Sequence, residues 1–275
     1  MKKLVPVLAV ASALCLSTPA HALISDNFAE AGSAGDAVVA EQIGDDGSLD
    51  GNCTGTAIGD YWVITARHCV ENAPTPGGSI RIGQGDGQSR VKIDTWFTAP
   101  AGDVALIRTA EPLGLGSYPE VAGDLAAGTA VEAYGWSPDG SGKTEKLPVG
   151  RGEVAEVTDF ALFEGKNALN VRLTDGSEFQ AGDSGGPIFA DGKVAGVLTA
   201  SFNPDNPEAA SSPEALFAPT GEVREWITDT MAKEGAPSAR ASEESKNSPV
   251  LWWVIGGIIV IVAVFLLAAK ARKQR

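Results

Sequence analysis

A serine in a glycine-rich segment is the residue of this chain best placed for chemistry. Ser184 lies within residues 180–187 (QAGDSGGP), where three glycines surround it. Such a segment predicts a tight backbone turn that exposes the hydroxyl and lets peptide N–H groups converge, as an oxyanion hole requires. Because a serine hydroxyl is a weak nucleophile until a base removes its proton, the chain must also supply that base.

Histidine is the usual base for such a serine, and the chain contains two histidines. His21 lies in a predicted leader, which leaves His68 in the segment 65–69 (TARHC), at the end of a predicted apolar strand. A lone histidine is also a common structural residue. Its presence in one chain with the serine loop favours the interpretation of His68 as the base.

The first 22 residues have the pattern of a secretory signal peptide. Two lysines, an apolar run at 4–16 and the triplet Ala20-His21-Ala22 match its charged region, its apolar region and its cleavage site. We therefore predict cleavage after Ala22, with Leu23 as the mature N-terminus. Cys15 follows the bulky Leu14, which fits a lipoprotein processing site poorly, so this cysteine is interpreted as part of the signal.

The other end of the chain has the pattern of a membrane anchor. Residues 250–269 are uncharged, and as a helix they span roughly 30 Å, the thickness of the bilayer hydrocarbon. Basic residues follow, so the positive-inside rule predicts a cytoplasmic tail at 270–275 and an extracytoplasmic remainder. We predict a flexible linker at 233–248 and a single transmembrane helix at 249–269 in the cell membrane. The layout also resembles a cell-wall sorting signal, but no LPxTG-type motif precedes it.

The charge of the part between these ends excludes one class of partner. Without the six basic residues of the two ends, 15 Lys and Arg face 35 Asp and Glu, a net charge of −20. Nucleic acid is therefore not an expected partner, because its binding depends on cationic contacts to phosphates. Cationic substrates would be attracted to this surface, although a charge spread along the whole chain is also typical of a solvated surface.

The two cysteines of the mature chain predict a disulfide. Cys53 and Cys69 form an even count in an oxidising compartment, so we expect them to pair. Closing a loop of this length is worth about 3 kcal/mol in the chain-entropy model. Two buried free thiols are the alternative. A metal site would need more cysteine or histidine ligands than the mature chain contains, so no metal is expected.

Turn residues separate short apolar segments with little helical periodicity, which predicts an all-β fold. The predicted strands fall at 37–43, 54–58, 61–65, 79–82, 90–97 and 104–109, and then at 130–134, 151–157, 168–173, 187–190, 194–201 and 215–219. Two runs of six strands favour two antiparallel six-stranded β-barrels over a βαβ sheet. They would occupy about 37–120 and 128–220 of one domain, 23–232, which ends in a helix predicted at 222–231.

The motifs TARHC and GDSGGP, in this order and with Cys53 upstream, resemble the active-site signatures of trypsin-like serine proteases of the chymotrypsin fold. Between its two signatures this family has an aspartate followed by small and aliphatic residues, and residues 103–108 (DVALIR) look like that motif. Residues 134–136 (YGW) look like a further loop of the family. The resemblance extends from about residue 37 to the predicted helix, and it implies a double barrel that works without a cofactor.

The resemblance implies a role for each matching residue. Ser184 would attack the scissile carbonyl, His68 would take its proton and pass it to the leaving amine, and Asp103 would accept the other ring N–H of the histidine. Backbone N–H groups of Gly182 and Ser184 would bind the developing oxyanion. Asp183 would form an ion pair with a newly freed N-terminal amine.

Chain order distinguishes this family from other serine hydrolases. Residues 182–186 also fit the G-x-S-x-G motif of α/β-hydrolases, which place their histidine after the serine. No histidine follows Ser184, so that fold is excluded. A subtilisin-like order would need its aspartate before His68. Asp60 is available there, but its surroundings do not resemble that family.

Specificity depends on the segment just before the serine loop. In the resembled family, the residue six positions before the nucleophile lies at the base of the S1 pocket, and here it is Glu178. An acid there would favour Lys or Arg at P1. The pocket cysteine of many relatives is absent from this segment, and Phe179 is a candidate to take up pocket volume. Glu178 as a solvated loop residue is the alternative.

The resemblance also implies a strand that binds substrate backbone. Thr199, Ala200 and Ser201 align with that strand.

The mature N-terminus suggests an activation route. Residues 23–26 precede Cys53 by about 30 positions, a reach compatible with an amine that pairs with Asp183. We therefore hypothesise that signal peptidase itself releases the activating amine, so that no separate pro-peptide is needed.

These inferences predict a membrane-anchored, extracytoplasmic, monomeric serine endopeptidase that acts on protein or peptide substrates. The main alternative is a catalytically inactive domain that uses the same cleft only for binding. A third possibility is an anchor protein whose protease-like domain is incidental.

Overall fold

A computed structural model describes residues 23–32, 34–44, 53–136, 146–160, 162–203, 206 and 209–237. The predicted signal peptide, transmembrane helix and cytoplasmic tail, and residues 238–248 of the predicted linker, lie outside the described residues. Within the described part of the chain, no helix is both long and apolar enough to cross a membrane.

Six antiparallel strands of the N-terminal half close into a barrel. They are β1 (Val38–Ile43), β2 (Cys53–Gly59), β3 (Trp62–Thr65), β4 (Gly78–Ile82), β5 (Ser89–Thr98) and β6 (Ala105–Thr109). Around the barrel they follow the order β1-β2-β3-β6-β5-β4. Alternate residues point inward and form an apolar core that includes Val39, Val63, Ile80 and Ile107, because successive side chains of a strand point to opposite faces.

The second half of the domain repeats this architecture. Its strands are β7 (Ala130–Tyr134), β8 (Val149–Thr158), β9 (Ala168–Leu173), β10 (Phe179–Gln180), β11 (Pro187–Ala190), β12 (Lys193–Ser201), β13 (Ser211–Ser212) and β14 (Glu214–Pro219). Six of them close in the order β11-β12-β14-β9-β8-β7, while β10 and β13 form a separate two-stranded ribbon. The core of this barrel includes Leu169, Val171, Ile188 and Phe217.

A third apolar cluster joins the two barrels. Val38 and Trp62 contribute from the first barrel, Phe189 and Val197 from the second, and Ile227 from the helix α2 (Arg224–Glu234). This shared core gives the two barrels a common buried boundary, where loops from each barrel meet.

The structure confirms the predicted double barrel, with strand ends that differ from the predicted ends by at most two residues. The short elements that the sequence did not predict include β10, β13 and the helix α1 (Arg67–Glu71). A five-residue helix is too short to show a 3.6-residue period. His68 therefore belongs to α1 and not to the end of a strand. The predicted disulfide between Cys53 and Cys69 is present.

Candidate active site

The histidine and the aspartate singled out in the sequence are directly bonded. The backbone N–H of His68 donates to Oδ1 of Asp103 at 2.9 Å, and Nδ1 of its ring lies 2.7 Å from Oδ2. Because a carboxylate oxygen only accepts, this contact favours the tautomer of a neutral imidazole that has its proton on Nδ1 and its lone pair on Nε2. The Asp103 side chain is 1% exposed, whereas that of His68 is 29% exposed. Both oxygens of a buried carboxylate thus orient one partly exposed imidazole.

The loop that carries Asp103 is held at both of its sides. Ala99, just after β5, donates its N–H to the carbonyl of Val104 at 2.9 Å, which closes the loop between β5 and β6. Gly102 donates its N–H to the carbonyl of Phe163 at 2.8 Å, and Phe163 belongs to the second half of the domain. The guanidinium of Arg67, the neighbour of His68, stacks 4.5 Å from the ring centroid of the same Phe163.

The serine loop is fixed by backbone hydrogen bonds that reach the first barrel. The carbonyl of Ser184 accepts the N–H of Thr54 at 2.7 Å, and Gly185 donates to the carbonyl of Leu198 at 2.9 Å. Gly185 has a φ of +79°, and a Cβ there would lie 2.3 Å from Oγ1 of Thr65. A side chain is therefore excluded at this position. Thr65 is three residues before His68, so the serine loop contacts the segment that carries the histidine.

The disulfide lies beside the histidine. The sulfur atoms of Cys53 and Cys69 and a ring nitrogen of His68 all lie within 4.8 Å of one another. Both sulfurs are joined in the disulfide, with 6.3 Å between the two Cα atoms, so this group offers no thiolate to a metal ion. The covalent link instead ties α1, which carries His68, to the start of β2.

Asp183 is completely buried and bonded to two backbone N–H groups. Leu23 donates to its Oδ1 at 3.0 Å, and Gln180 donates to its Oδ2 at 2.9 Å. Gly135 leaves room for the carboxylate, because a Cβ there would lie 2.1 Å from Oδ1. Burial raises the pKa of Asp183 from 3.8 to about 7, although both hydrogen bonds act in the opposite direction.

A comparison with protein families identifies this arrangement. The model of the trypsin family matches residues 24–227, which include both barrels, the histidine, the aspartate and the serine loop. The chain belongs to the trypsin family. It is accordingly a serine endopeptidase by family.

Several known proteins are similar over most of their length. An uncharacterized peptidase of Corynebacterium glutamicum (strain R) is 29% identical over 245 residues, which cover 86% of this chain and 83% of that protein. Trypsin beta of Drosophila erecta is 24% identical over 200 residues, covering 64% of this chain and 77% of the relative. Human kallikrein-2 is 26% identical over 219 residues, with coverages of 66% and 80%.

Leu23 and Ile24 of this trypsin-family chain lie along the segment that precedes the serine loop. The N–H of Ile24 donates to the carbonyl of Glu178 at 2.9 Å, and the N–H of Glu178 donates back to the carbonyl of Ile24 at 2.9 Å. Leu23 is 1% exposed and packs in the core of the second barrel. The predicted mature N-terminus is thus built into the fold beside Asp183.

The predicted specificity residues occupy different environments. Glu178 is partly buried, and its carboxylate accepts a hydrogen bond from the hydroxyl of Ser211 on β13. Phe179 packs edge-on against Phe217, with 5.6 Å between ring centroids, in the core of the second barrel. The expectation that Phe179 takes up pocket volume is therefore wrong. The side chains of Phe179 and Glu178 point to opposite sides of the backbone, as those of neighbouring residues along a strand do.

The three residues predicted to bind substrate backbone lie at the end of β12. Thr199 is mostly buried and lines a small cavity together with Asp103 and Phe160. Ala200 is partly buried and Ser201 is exposed. The pairing of β12 with β14 shifts register between Leu198 and Ala200, so the strand bends where it leaves the barrel.

Thr54 is a residue of the site that the sequence did not reveal. Its N–H donates to Ser184, and its Oγ1 lies 3.0 Å from the carbonyl oxygens of Gly182 and Trp136 while accepting the N–H of Trp136 at 2.8 Å. Thr54 thus bridges β2, the serine loop and the 134–136 loop. Because threonine is a common strand former, its position in a strand carried no signal of this role.

Proposed function

We propose that this serine endopeptidase cleaves peptide bonds with Ser184 as nucleophile, His68 as general base and Asp103 as its orienting carboxylate. The observation that carries the proposal is the pair of hydrogen bonds from His68 to the buried Asp103. That pairing leaves Nε2 of the histidine as the basic nitrogen, which is the atom that must take a proton from serine.

The chemistry would run in two halves. Ser184 Oγ attacks the scissile carbonyl while His68 removes its proton, and the resulting imidazolium, stabilised by Asp103, protonates the leaving amine. Water then attacks the acyl-enzyme with His68 again as base. Backbone N–H groups of Gly182 and Ser184 would bind the oxyanion, and each such donor is worth about 3 kcal/mol in the transition state.

A basic P1 preference is the finer part of the proposal. Support comes from the partly buried carboxylate of Glu178, whose hydrogen bond from Ser211 restrains it close to the serine loop. By contrast, the carboxylate of Glu214, which is buried on β14, forms an ion pair with Arg172 at 2.6 Å. Glu178 is therefore the acid of this region that we assign to a Lys or Arg side chain of the substrate.

Activation by signal peptidase is a further part of the proposal. Cleavage after Ala22 would convert the N–H of Leu23, which lies 3.0 Å from Asp183, into an ammonium group. A cation at that distance from a buried carboxylate stabilises its charged form. The signal peptide, the C-terminal membrane helix, the monomeric state and the extracytoplasmic location are proposed from the sequence patterns alone.

An activity-based probe provides the test. The full-length protein is treated with a biotinylated fluorophosphonate, which reacts only with an activated serine, and the labelled residue is mapped by mass spectrometry. We expect covalent modification of Ser184 and none in Ser184→Ala or His68→Ala. A folded wild-type protein that stays unlabelled while trypsin is labelled in the same sample would favour the inactive binding domain.

A further inference from the structure

A carboxylic acid is buried inside the first barrel, where the surroundings are apolar. Glu41 on β1 is 0% exposed. The residues directly opposite Glu41 in the strand pairing are Cys53 on β2 and Ile80 on β4. Its side chain therefore points to the same inward face as theirs. An isolated charged carboxylate in such a place is very costly, and the group normally becomes neutral or finds a partner.

The barrel leaves space for this acid at a glycine. A Cβ on Gly55 would lie 2.1 Å from Oε1 of Glu41 and 2.6 Å from a methyl group of Val63. Any side chain at position 55 would therefore displace the carboxyl group. Oε1 itself has no hydrogen-bond partner within the described residues. An unpaired oxygen is tolerated far better on a neutral carboxyl group than on a carboxylate.

The number of protons available to the contacts of Thr65 indicates the charge state of Glu41. Oγ1 of Thr65 lies 2.8 Å from Oε2 of Glu41 and 3.1 Å from the carbonyl oxygen of Thr54. The hydroxyl has one proton and can donate to only one of these two oxygens. If Glu41 is ionised, only one of the two contacts can be a hydrogen bond, and the other brings two acceptor oxygens together without a proton between them. If Glu41 is neutral, it donates to Thr65 and Thr65 donates to Thr54, so both contacts are hydrogen bonds.

The groups that face Glu41 offer no compensating charge. Gly55 and Cys53 approach from β2, Val63 and Thr65 from β3, and Ile80 from β4, and the sulfur of Cys53 is in the disulfide. Burial raises the pKa of Glu41 well above its ordinary value, and this effect is larger than the opposite effect of its hydrogen-bond contact with Thr65.

The one basic residue of strands β1 to β4 points elsewhere. Arg81 follows Ile80 on β4, and its guanidinium lies 4.9 Å from the ring centroid of Trp136, in the cluster between the barrels. It therefore lies on the opposite face of β4 from Ile80 and Glu41.

We propose that Glu41 is a positioning residue of the protease: a buried neutral acid whose proton completes a hydrogen-bonded chain through Thr65 and Thr54 to the serine loop. The last link is the N–H of Thr54, which donates to the carbonyl of Ser184 at 2.7 Å. Thr65 also lies against Gly185, where no side chain would fit. The catalytic consequence rests on the proposed function, whereas the charge state of Glu41 does not.

Ionisation of Glu41 would break this chain at a defined link. The Thr65 hydroxyl would turn to the carboxylate, and the carbonyl of Thr54 would lose its donor. Thr54, whose N–H bonds Ser184, would then be held less firmly, which lowers the rate of the chemical step more than it weakens substrate binding. Activity should therefore fall as pH rises through the raised pKa of Glu41.

Two variants separate the proton of Glu41 from its volume. In Glu41→Gln the amide N–H₂ donates to Thr65 at every pH, whereas Glu41→Leu keeps the approximate volume without a donor. We expect kcat of Glu41→Gln to stay within about twofold of wild type near pH 7 and to lack the alkaline decline assigned to Glu41. Glu41→Leu should lower kcat about tenfold, the value of one neutral hydrogen bond, with little change in KM. Equal alkaline profiles of wild type and Glu41→Gln would overturn the positioning role.

Infrared difference spectra of the full-length protein test the charge state without using activity. The carbonyl stretching band of a protonated carboxyl group should be present at pH 7 in wild type and absent in Glu41→Gln. If Glu41→Gln does not fold, the wild-type band should still shift in Thr65→Val, which removes the acceptor. A wild-type spectrum without this band overturns the proposal. A protein that shows the band but is not labelled by fluorophosphonate would contradict the proposed function instead.

Equilibrium unfolding gives an independent check of the same proton. Above the ordinary pKa of glutamate, the unfolded wild type releases a proton that the native state keeps. The wild type should therefore become less stable relative to Glu41→Gln as pH rises, by up to tenfold in the unfolding constant per pH unit, until the native pKa is reached. A difference that stays constant from pH 4 to 8 would contradict a neutral Glu41.

Discussion

The backbone nitrogen of Leu23 lies 3.0 Å from Oδ1 of Asp183, a residue 160 positions further along the chain. The contact is completely buried, and Asp183 immediately precedes the proposed nucleophile. The predicted site of signal-peptide cleavage is therefore also the point where a new amine would meet the only carboxylate attached to the serine loop within residues 180–187. Cleavage of the signal peptide would then both release the secreted chain and activate the protease.

Replacement of Asp183 by asparagine should disable the mature enzyme. The substitution leaves the Leu23 ammonium buried without its charged partner, and breaking a buried ion pair in this way costs about 3 kcal/mol or more. We expect kcat/KM for a peptide substrate to fall at least 100-fold. Asp191→Asn, at an exposed position, is the matched control and should behave as wild type. N-terminal sequencing of the active enzyme should begin at Leu23, and a start well beyond Ile24 would require another processing step.

Retention of the leader should make stability sensitive to pH. Ala22→Phe removes the small residue that signal peptidase needs, so Asp183 would then face a peptide N–H and its pKa would stay near 7. Because this native pKa lies above the unfolded value of 3.8, the stabilisation is complete below about pH 4. It is lost as pH rises toward 7, by up to about 1.4 kcal/mol per pH unit. Thermal unfolding measured from pH 4 to 8 would show the loss.

Two comparisons test whether Asp183 causes this pH dependence of stability. The processed wild type should not show it, because an ammonium group favours the charged carboxylate and lowers its pKa. In the Ala22→Phe background, Asp183→Asn should flatten the curve. A slope that persists in this double variant would have to come from another group.

Removal of the disulfide should destabilise the first barrel and weaken catalysis. The bond closes a loop of 16 positions, which is worth about 3 kcal/mol in the chain-entropy model. Cys53→Ala/Cys69→Ala should lower the free energy of unfolding in urea by roughly that amount, and kcat should also fall because α1 carries His68. Reduction of the wild type should reproduce both effects. An unchanged unfolding midpoint would show that packing alone holds α1 in place.

Replacement of Glu178 by glutamine should reduce the preference for basic residues at P1. A charge-assisted hydrogen bond contributes about 1.5–3 kcal/mol, so the ratio of kcat/KM for Lys or Arg over neutral residues should fall about 10-fold to 100-fold. Cleavage of a peptide library measures this ratio directly. Glu156→Gln removes an exposed acid of β8 and controls for the total charge. If wild type shows no basic preference, Glu178 does not face the substrate.

Local patterns in the sequence were sufficient for the architecture. Short apolar segments between turn residues, with little helical periodicity, predicted all twelve barrel strands. The two cysteines predicted their own pairing, which the structure confirms. The motifs around His68, Asp103 and Ser184 singled out the loops that we propose to carry the chemistry. The short helix α1 and the two-residue strands left no periodic signal to detect.

The tertiary structure alone decided the surroundings of these residues. Thr54, Thr65 and Glu41 look like ordinary strand residues in the sequence, yet they connect the first barrel to the serine loop. Phe179 and Glu178 are neighbours, but one lies in a core and the other contacts Ser211. The reason is physical: periodicity reports which face of a strand is buried. What a buried polar atom bonds to depends on the register and closure of both barrels, which residues distant in the sequence determine together.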